Sequence, residues 1–374
     1  MKRSFIILLA GAWLALPRPA WGRTSASPGP DTSAADAFVT AAARGDAEAV
    51  ERFLASGGRV DAPNRDGFTA LIWAAGQGHS AVVDRLLAAS ADVNVQSADH
   101  TTALMAAASR GRTAIAQRLI ARGARIDARR ADGWTALIWA AAEGQVECVR
   151  LLLARGANIE ARDPRGFTAL VYAAADVTEE KPTAKTLTVV ETLLARGARI
   201  DHRAANGSTA LMAAAAKGEE EIVRTLLAHG ADVNVRDVNG RTALMNAAAD
   251  RGTAAIAYAL LAKGAELDAR DHLDATALML AASRSKPGML RGLIAKGAAV
   301  DAVDGRGVTA LMRAAELGRA VGVQALVQAG ADLARRDAAG RTAADFARDN
   351  RQNYIVTLLD PAASDRSLHQ RPPR

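Results

Sequence analysis

Apolar and polar residues along this chain follow a pattern that restarts, almost unchanged, every thirty-odd residues. Its clearest copy is residues 132–162, DGWTALIWAAAEGQVECVRLLLARGANIEAR. Leu137, Ala140 and Ala141 recur at helical spacing, so residues 136–143 read as a short helix. Thr135 stands at its N-cap, where a hydroxyl can accept from a free first-turn amide. Small alanines let neighbouring helices approach closely. Gly144 ends this helix in a turn that favours positive φ, and residues 146–154 form a second helix that buries Val149, Leu152 and Leu153. Gly156 ends the second helix in the same way. The polar stretch that follows turns back as a hairpin-like finger before the next copy begins.

The Thr-Ala-Leu step at Thr135 returns at Thr69, Thr102, Thr168, Thr209, Thr242, Thr276, Thr309 and Thr342. Successive spacings from Thr69 are 33, 33, 33, 41, 33, 34, 33 and 33 residues. A fixed period of this size means one supersecondary unit per repeat, too small to bury its apolar face alone and so stacked on its neighbours. The expected fold class is therefore all-α, a solenoid of about ten helix-turn-helix units. A finger Gly precedes the Thr by two residues in seven of nine copies; His100 and Asp274 replace it in the others, and both residue types tolerate positive φ.

Two copies differ in length. One carries eight extra residues within 176–187, DVTEEKPTAKTL, between its two helices. Such an insertion is either tolerated drift, since doubling a loop costs only about 0.6 kcal/mol, or a protruding contact element. The other gains a residue near Asp250-Arg251-Gly252, which predicts a lengthened turn. Residues 36–65 read as an N-terminal cap with Asp36 in the place of the later threonines, residues 66–337 as full repeats, and 338–360 as a polar C-terminal cap.

The pattern D-x-x-G-x-T-A-L-x-x-A-A-x-x-G, then V-x-x-L-L-x-x-G-A, resembles the ankyrin repeat family over about residues 36–360. The family's usual Thr-Pro-Leu-His tetrapeptide is here Thr-Ala-Leu followed by Ile72, Met105, Ile138, Val171, Met212, Met245, Met279 or Met312. Without the His, the Thr–His hydrogen bonding that the resemblance implies cannot form, and apolar packing takes its place. The resemblance also implies that partners meet the fingers and the inner helices, at the residues three and one before each Thr and seven and eight after it.

Outside the repeats, residues 1–22, MKRSFIILLAGAWLALPRPAWG, have a basic start, an apolar run over 5–16 and small residues at Ala20 and Gly22. This is a secretory signal pattern, with cleavage placed after Gly22. The apolar run is too short to span a bilayer as a helix, Lys2-Arg3 is not a twin-arginine pair, and no Cys is near to take a lipid. A bacterial, exported protein is expected, periplasmic or secreted, with no membrane insertion after cleavage. Residues 23–35 read as a flexible linker and 361–374 as a disordered basic tail.

Net charge is +7, but loss of Lys2, Arg3 and Arg18 with the leader leaves 44 basic against 40 acidic residues, or +4. Charges alternate without long like-sign runs, which argues against a nucleic-acid surface. Only 4% of residues are aromatic, so the core rests on Ala, Leu, Val and Ile. The single Cys148 permits no intrachain disulfide and falls on the packing side of its helix.

No chemistry-bearing constellation emerges. His79 and His229 occupy positions where the ankyrin pattern often has His; His100, His202 and His272 lie in non-neighbouring fingers, and His369 lies in the tail. There is no H-x-x-x-H, C-x-x-C, G-x-S-x-G or Walker-type G-K-S/T. No catalytic residue, cofactor or metal is expected. Asp66, Asp99 and Asp132 stand three before successive threonines and could form a ladder that repels unless a cation or Arg intervenes.

One before the Thr stand Phe68, Thr101, Trp134, Phe167, Ser208, Arg241, Ala275, Val308 and Arg341. Phe68, Trp134 and Phe167 are candidate anchors for a partner or locally packed rings, while Trp73, Trp139 and Tyr172, four after the Thr, belong beneath the fingers. Asp66, Gln77, Arg110, Asp132, Glu143 and Arg165 are candidate rim residues. The expectation is a monomeric, non-enzymatic scaffold binding a protein partner through its concave face and fingers. The alternative is an accessory or stabilising protein for a periplasmic or membrane-bound enzyme.

Overall fold

A computed structural model of the protein describes residues 34–175, 184–284 and 286–360. The proposed leader at 1–22, most of the linker, residues 176–183 of the long insertion, and the tail at 361–374 lie outside them. The chain divides into two compact units, Met1–Ala205 and Asn206–Arg374. Among the described residues there are twenty α-helices and no strand beyond one isolated antiparallel bridge, Arg162 to Thr168. None of these helices is long and apolar enough to cross a membrane.

The first unit stacks five helix pairs: α1 (Ala34–Arg44) with α2 (Ala47–Ala55), α3 (Ala70–Gln77) with α4 (Ser80–Ala88), α5 (Ala103–Ser109) with α6 (Thr113–Ala121), α7 (Ala136–Ala142) with α8 (Val146–Ala154), and α9 (Ala169–Ala174) with α10 (Ala184–Ala195). The second holds five more: α11 (Ala210–Lys217) with α12 (Glu220–Ala228), α13 (Ala243–Ala249) with α14 (Ala254–Ala262), α15 (Ala277–Ser283) with α16 (Pro287–Ala295), α17 (Ala310–Glu316) with α18 (Ala320–Gln328), and α19 (Ala343–Asp349) with α20 (Asn353–Leu359). Within each unit the first helix of a pair packs on the first helix of the next, and the second on the second.

Threonine starts every first helix from α3 onward. Its hydroxyl accepts from the amide three residues on, as Thr135 does from Ile138 at 3.4 Å, which satisfies one of the orphan donors of a helix start. Thr168 precedes α9 without such a bond. The apolar residue where the usual pattern has His is buried throughout, from Ile72 to Met312, so packing does replace that hydrogen bonding. Fully buried Leu152 contributes about 2 kcal/mol of transfer free energy. The two fingers that lack Gly keep their turns, with His100 at φ 65° and Asp274 at φ 59°.

Two expectations need correction. Asp36 is no N-cap, because α1 already begins at Ala34. Its carboxylate instead accepts from the Arg65 amide at 3.0 Å and pairs with the Arg65 guanidinium at 3.0 Å, tying the first finger to α1. Likewise the end of the insertion is not turn: residues 184–187 belong to α10, which runs twelve residues where α8 runs nine. The single extra residue does lengthen a turn, since four residues separate α13 from α14 and three separate α7 from α8. Gly252 in that turn approaches α13 so closely that a Cβ would lie 2.5 Å from Ala247 Cα.

A second inter-repeat device was not visible in the sequence. In several repeats the residue before the second helix reaches back to the end of the preceding repeat's first helix. His79 Nε2 lies 3.0 Å from the Ala43 carbonyl, Arg112 Nε donates to Gly76 at 3.4 Å, and Arg319 Nε donates to Ser283 at 3.3 Å. These bonds satisfy C-terminal carbonyls that the helix itself leaves open.

Candidate functional site

In five fingers the turn is built around an Asp five before the Thr. Asp163 Oδ1 accepts from the amides of Arg165 and Phe167 at 3.0 and 2.8 Å, and Asp237, Asp271, Asp304 and Asp337 accept from the same two positions in their own fingers. All five aspartates are buried. The carboxylates that hold the fingers are thus these, and not those three before the Thr. The signal was present in the leading Asp of D-x-x-G-x-T, whose side chain offers local acceptors for a turn. Where Arg130 takes that place, its guanidinium lies 3.0 Å from Asp99 and 3.4 Å from Asp132. An Arg therefore separates two members of the expected carboxylate ladder, and no cation is needed between them. Asp99 is correspondingly held below its usual range: burial alone would raise it, but Ser97, Thr101 and Arg130 outweigh that.

Over this frame, the residues one before and four after each Thr meet as pairs. Phe68 lies 5.8 Å from Trp73, Trp134 lies 4.8 Å from Trp139, and Phe167 lies 5.8 Å from Tyr172, centroid to centroid. The middle pair departs from the expected anchor. Trp134 is only 5% exposed: its ring packs 4.5 Å from Tyr172 of the next pair, and its Nε1 donates to the Tyr172 hydroxyl at 3.1 Å. Trp134 therefore belongs to the core. Trp139 and Tyr172 are buried as well, and Trp73 is half-buried.

The Tyr172 hydroxyl closes a polar network. It donates to Asp163 Oδ2 at 2.7 Å while accepting from Trp134 and from Arg165 Nη2 at 2.7 Å. Arg165 Nε also bonds Asp163 Oδ2 at 3.0 Å, and the guanidinium lies 5.2 Å over the Phe167 ring. Burial, and then the negative neighbour Asp163, push the Tyr172 phenol well above its ordinary 10.0. Because the folded phenol keeps its proton where the unfolded one loses it, stability contributed by this group falls as pH rises past 10. Ultraviolet titration of tyrosinate should show a late ionisation step that Tyr172→Phe removes; an unchanged titration would contradict the network.

The other candidates spread along the same unit. Asp66, Arg110 and Arg165 are exposed, while Phe68, Gln77, Asp132, Glu143 and Phe167 are half-buried. The structure joins Arg165 to Phe167 through their cation–π contact. It places Gln77 at the end of α3 and Arg110 and Glu143 as the C-caps of α5 and α7. Cys148 is buried, with its sulfur 3.4 Å from the Thr113 hydroxyl, and burial raises its thiol pKa. Among the described residues no three His, Cys, Asp or Glu side chains converge as a metal-binding group.

A family model of ankyrin repeats, in three copies, matches residues 38–130, 104–188, 183–271, 246–337 and 278–365. The chain belongs to the ankyrin repeat family. The crystal structure of the human ASB11 ankyrin repeat domain is similar at a TM-score of 0.54 and 28% sequence identity, covering 61% of this chain and 98% of that one. No curated protein matches. Ankyrin repeats are in general protein–protein interaction modules and are typically non-enzymatic. In this ankyrin chain the rings of the first unit divide accordingly, with Trp134, Trp139 and Tyr172 inside and Phe68 and Phe167 at the boundary.

Proposed function

We propose that this ankyrin protein is an exported, non-enzymatic scaffold that captures a protein partner through the fingers and first helices of its first unit. The carrying observation is the half-buried state of Phe68 and Phe167 over Trp73 and Tyr172. Each ring has a fixed apolar backing and an outer surface that still meets water, which is how interface anchors are built. Arg165, stacked on Phe167, and the exposed Asp66 and Arg110 supply a polar rim. Trp134 does not take part directly and serves to hold Tyr172 in place. The leader sequence at 1–22 supports export to the periplasm or beyond, with the mature chain starting at Arg23.

A photocrosslinking amino acid at position 68 or 167 in intact cells should capture one discrete partner protein. The same probe at exposed Arg150, on α8, should not. Equal capture at position 150, or none at 68 and 167, would overturn the assignment of the face. Sequencing the N-terminus of the recovered protein tests export separately, since a chain still beginning at Met1 contradicts it.

A further inference from the structure

Each of the five buried finger aspartates spends one oxygen on its own turn amides and has a second left over. In four fingers an arginine meets that second oxygen. Arg165 reaches Asp163 at 3.0 Å, Arg313 reaches Asp304 at 2.6 Å and Arg341 reaches Asp337 at 2.8 Å, while Arg241 lies 3.5 Å from Asp271. Asp237 is the exception. It is 7% exposed and its Oδ1 accepts from the Asn239 and Arg241 amides, yet among the described residues its Oδ2 makes no hydrogen bond or ion pair.

The residues around this finger explain why. Three before the Thr, where Arg165 stands in its own finger, the residue is Asn239. One before the Thr stands Arg241, but its guanidinium lies against Asp271 of the next finger. Four after the Thr, where Tyr172 and Arg313 bond their carboxylates, the residue is Asn246. Asn246 is 2% exposed and its Nδ2 is without a hydrogen-bond partner. Ser208 occupies the place from which Trp134 bonds Tyr172; it is fully buried, and its Oγ has no partner either. Two long polar side chains of the first unit are thus replaced by two short ones in the second. A buried carboxylate is left without the cation that burial calls for.

We propose that the place beside Asp237 Oδ2 takes the guanidinium of an arginine in a peptide segment of a partner protein. The chain's own fingers show the fit: Arg165 and Arg341, with side chains 45% and 44% exposed, bond carboxylates that are 2% and 3% exposed. Depth is therefore no barrier to a guanidinium arriving from the surface. Arginine is favoured over lysine because its planar fork spreads several donors at once. One donor goes to Oδ2, while the Ser208 hydroxyl and the Asn246 amide oxygen, brought round by a half-turn of the amide, accept others. A peptide is favoured over a free cation by Val238 and Leu273, both exposed on neighbouring fingertips that the His272 amide joins to the Asn239 carbonyl at 2.9 Å. They offer apolar contact to the arginine stem and its flanking residues. The inference rests on protein binding as this chain's task, and not on the first-unit face.

Fluorescence anisotropy of the full chain with a fluorescein-labelled tetra-arginine peptide tests it, with tetra-lysine, tetra-citrulline and free arginine amide as competitors. Tetra-arginine should bind several-fold tighter than tetra-lysine, and tetra-citrulline, which keeps the shape without the charge, should not compete. Asp237→Asn should weaken tetra-arginine by about tenfold or more. Asn239→Arg supplies a guanidinium from within, at the place Arg165 occupies in its finger. It should block the peptide and raise the urea midpoint, a gain that a misfolded variant cannot produce. Unchanged binding in either variant, or equal affinity for tetra-lysine or tetra-citrulline, overturns the site; free arginine amide matching the peptide overturns the peptide as its occupant. Crosslinking at 68 and 167 that succeeds while tetra-arginine fails to bind leaves the first-unit face standing without this site, and the reverse result leaves this site standing without that face.

Discussion

Asp163→Ala is expected to lower the stability of the first unit by about 3 kcal/mol, read as a shift of the urea midpoint at unchanged slope. The carboxylate is 2% exposed at its side chain and accepts from two finger amides, the Tyr172 hydroxyl and the Arg165 guanidinium. Its removal leaves all of these donors without that acceptor. Arg165 is partly exposed and can turn to water, but the buried Tyr172 hydroxyl cannot, and the Phe167 amide sits in a part-buried turn. The loss of the buried Tyr172 bond, with the part-buried Phe167 bond, therefore decides the size of the effect. Asp163→Asn keeps an acceptor for the amides and should cost less. Asp132→Ala removes a half-buried carboxylate that accepts one amide bond and sits 3.4 Å from Arg130, so about 1 kcal/mol is expected. Equal losses at Asp163 and Asp132 would contradict the assignment of the finger-holding carboxylate.

The second large effect concerns recognition. Phe68→Ala together with Phe167→Ala should weaken capture of the partner by at least about a hundredfold, as central aromatic anchors each contribute about 2 kcal/mol or more. Both rings are half-buried, so the same variant should keep its helical circular dichroism. Trp134→Phe should do the reverse. It removes the Nε1 donor to Tyr172 and part of a 5%-exposed ring, which costs stability while leaving the binding rings in place. Isothermal titration with the partner recovered by crosslinking measures the first, and urea unfolding measures the second.

Much of the fold was legible because it is local. The Thr caps, the Gly turns and the alternation of Ala and Leu each depend on residues within four positions, and repetition made them visible nine times over. Even the Gly replacements at His100 and Asp274 followed from backbone chemistry alone. What stayed hidden depends on the next repeat. Trp134 and Phe167 occupy equivalent positions, yet Trp134 is buried because Tyr172, 38 residues further on, offers it both a ring and a hydroxyl. Asp163 was an exception, marked in the sequence as the leading Asp of D-x-x-G-x-T, and the folded turn shows it receiving two amides where Asp132 receives one. Asp36 misled for a related reason: its equivalence to Thr assumed a helix start that α1 passes by two residues. The reach of Lys286 across to Ala247 likewise has no local sequence signature.

The central claim is that the first unit separates its rings by duty, with Trp134 and Tyr172 holding the fingers and Phe68 and Phe167 meeting the partner. Affinity for the crosslinked partner and unfolding free energy, measured on the same preparations of Phe68→Ala/Phe167→Ala and Trp134→Phe, test it most directly. The account predicts that the Phe pair loses affinity with stability largely kept, and that Trp134→Phe loses stability with affinity kept. Unchanged affinity in the Phe pair, or equal affinity losses in both variants, would contradict it.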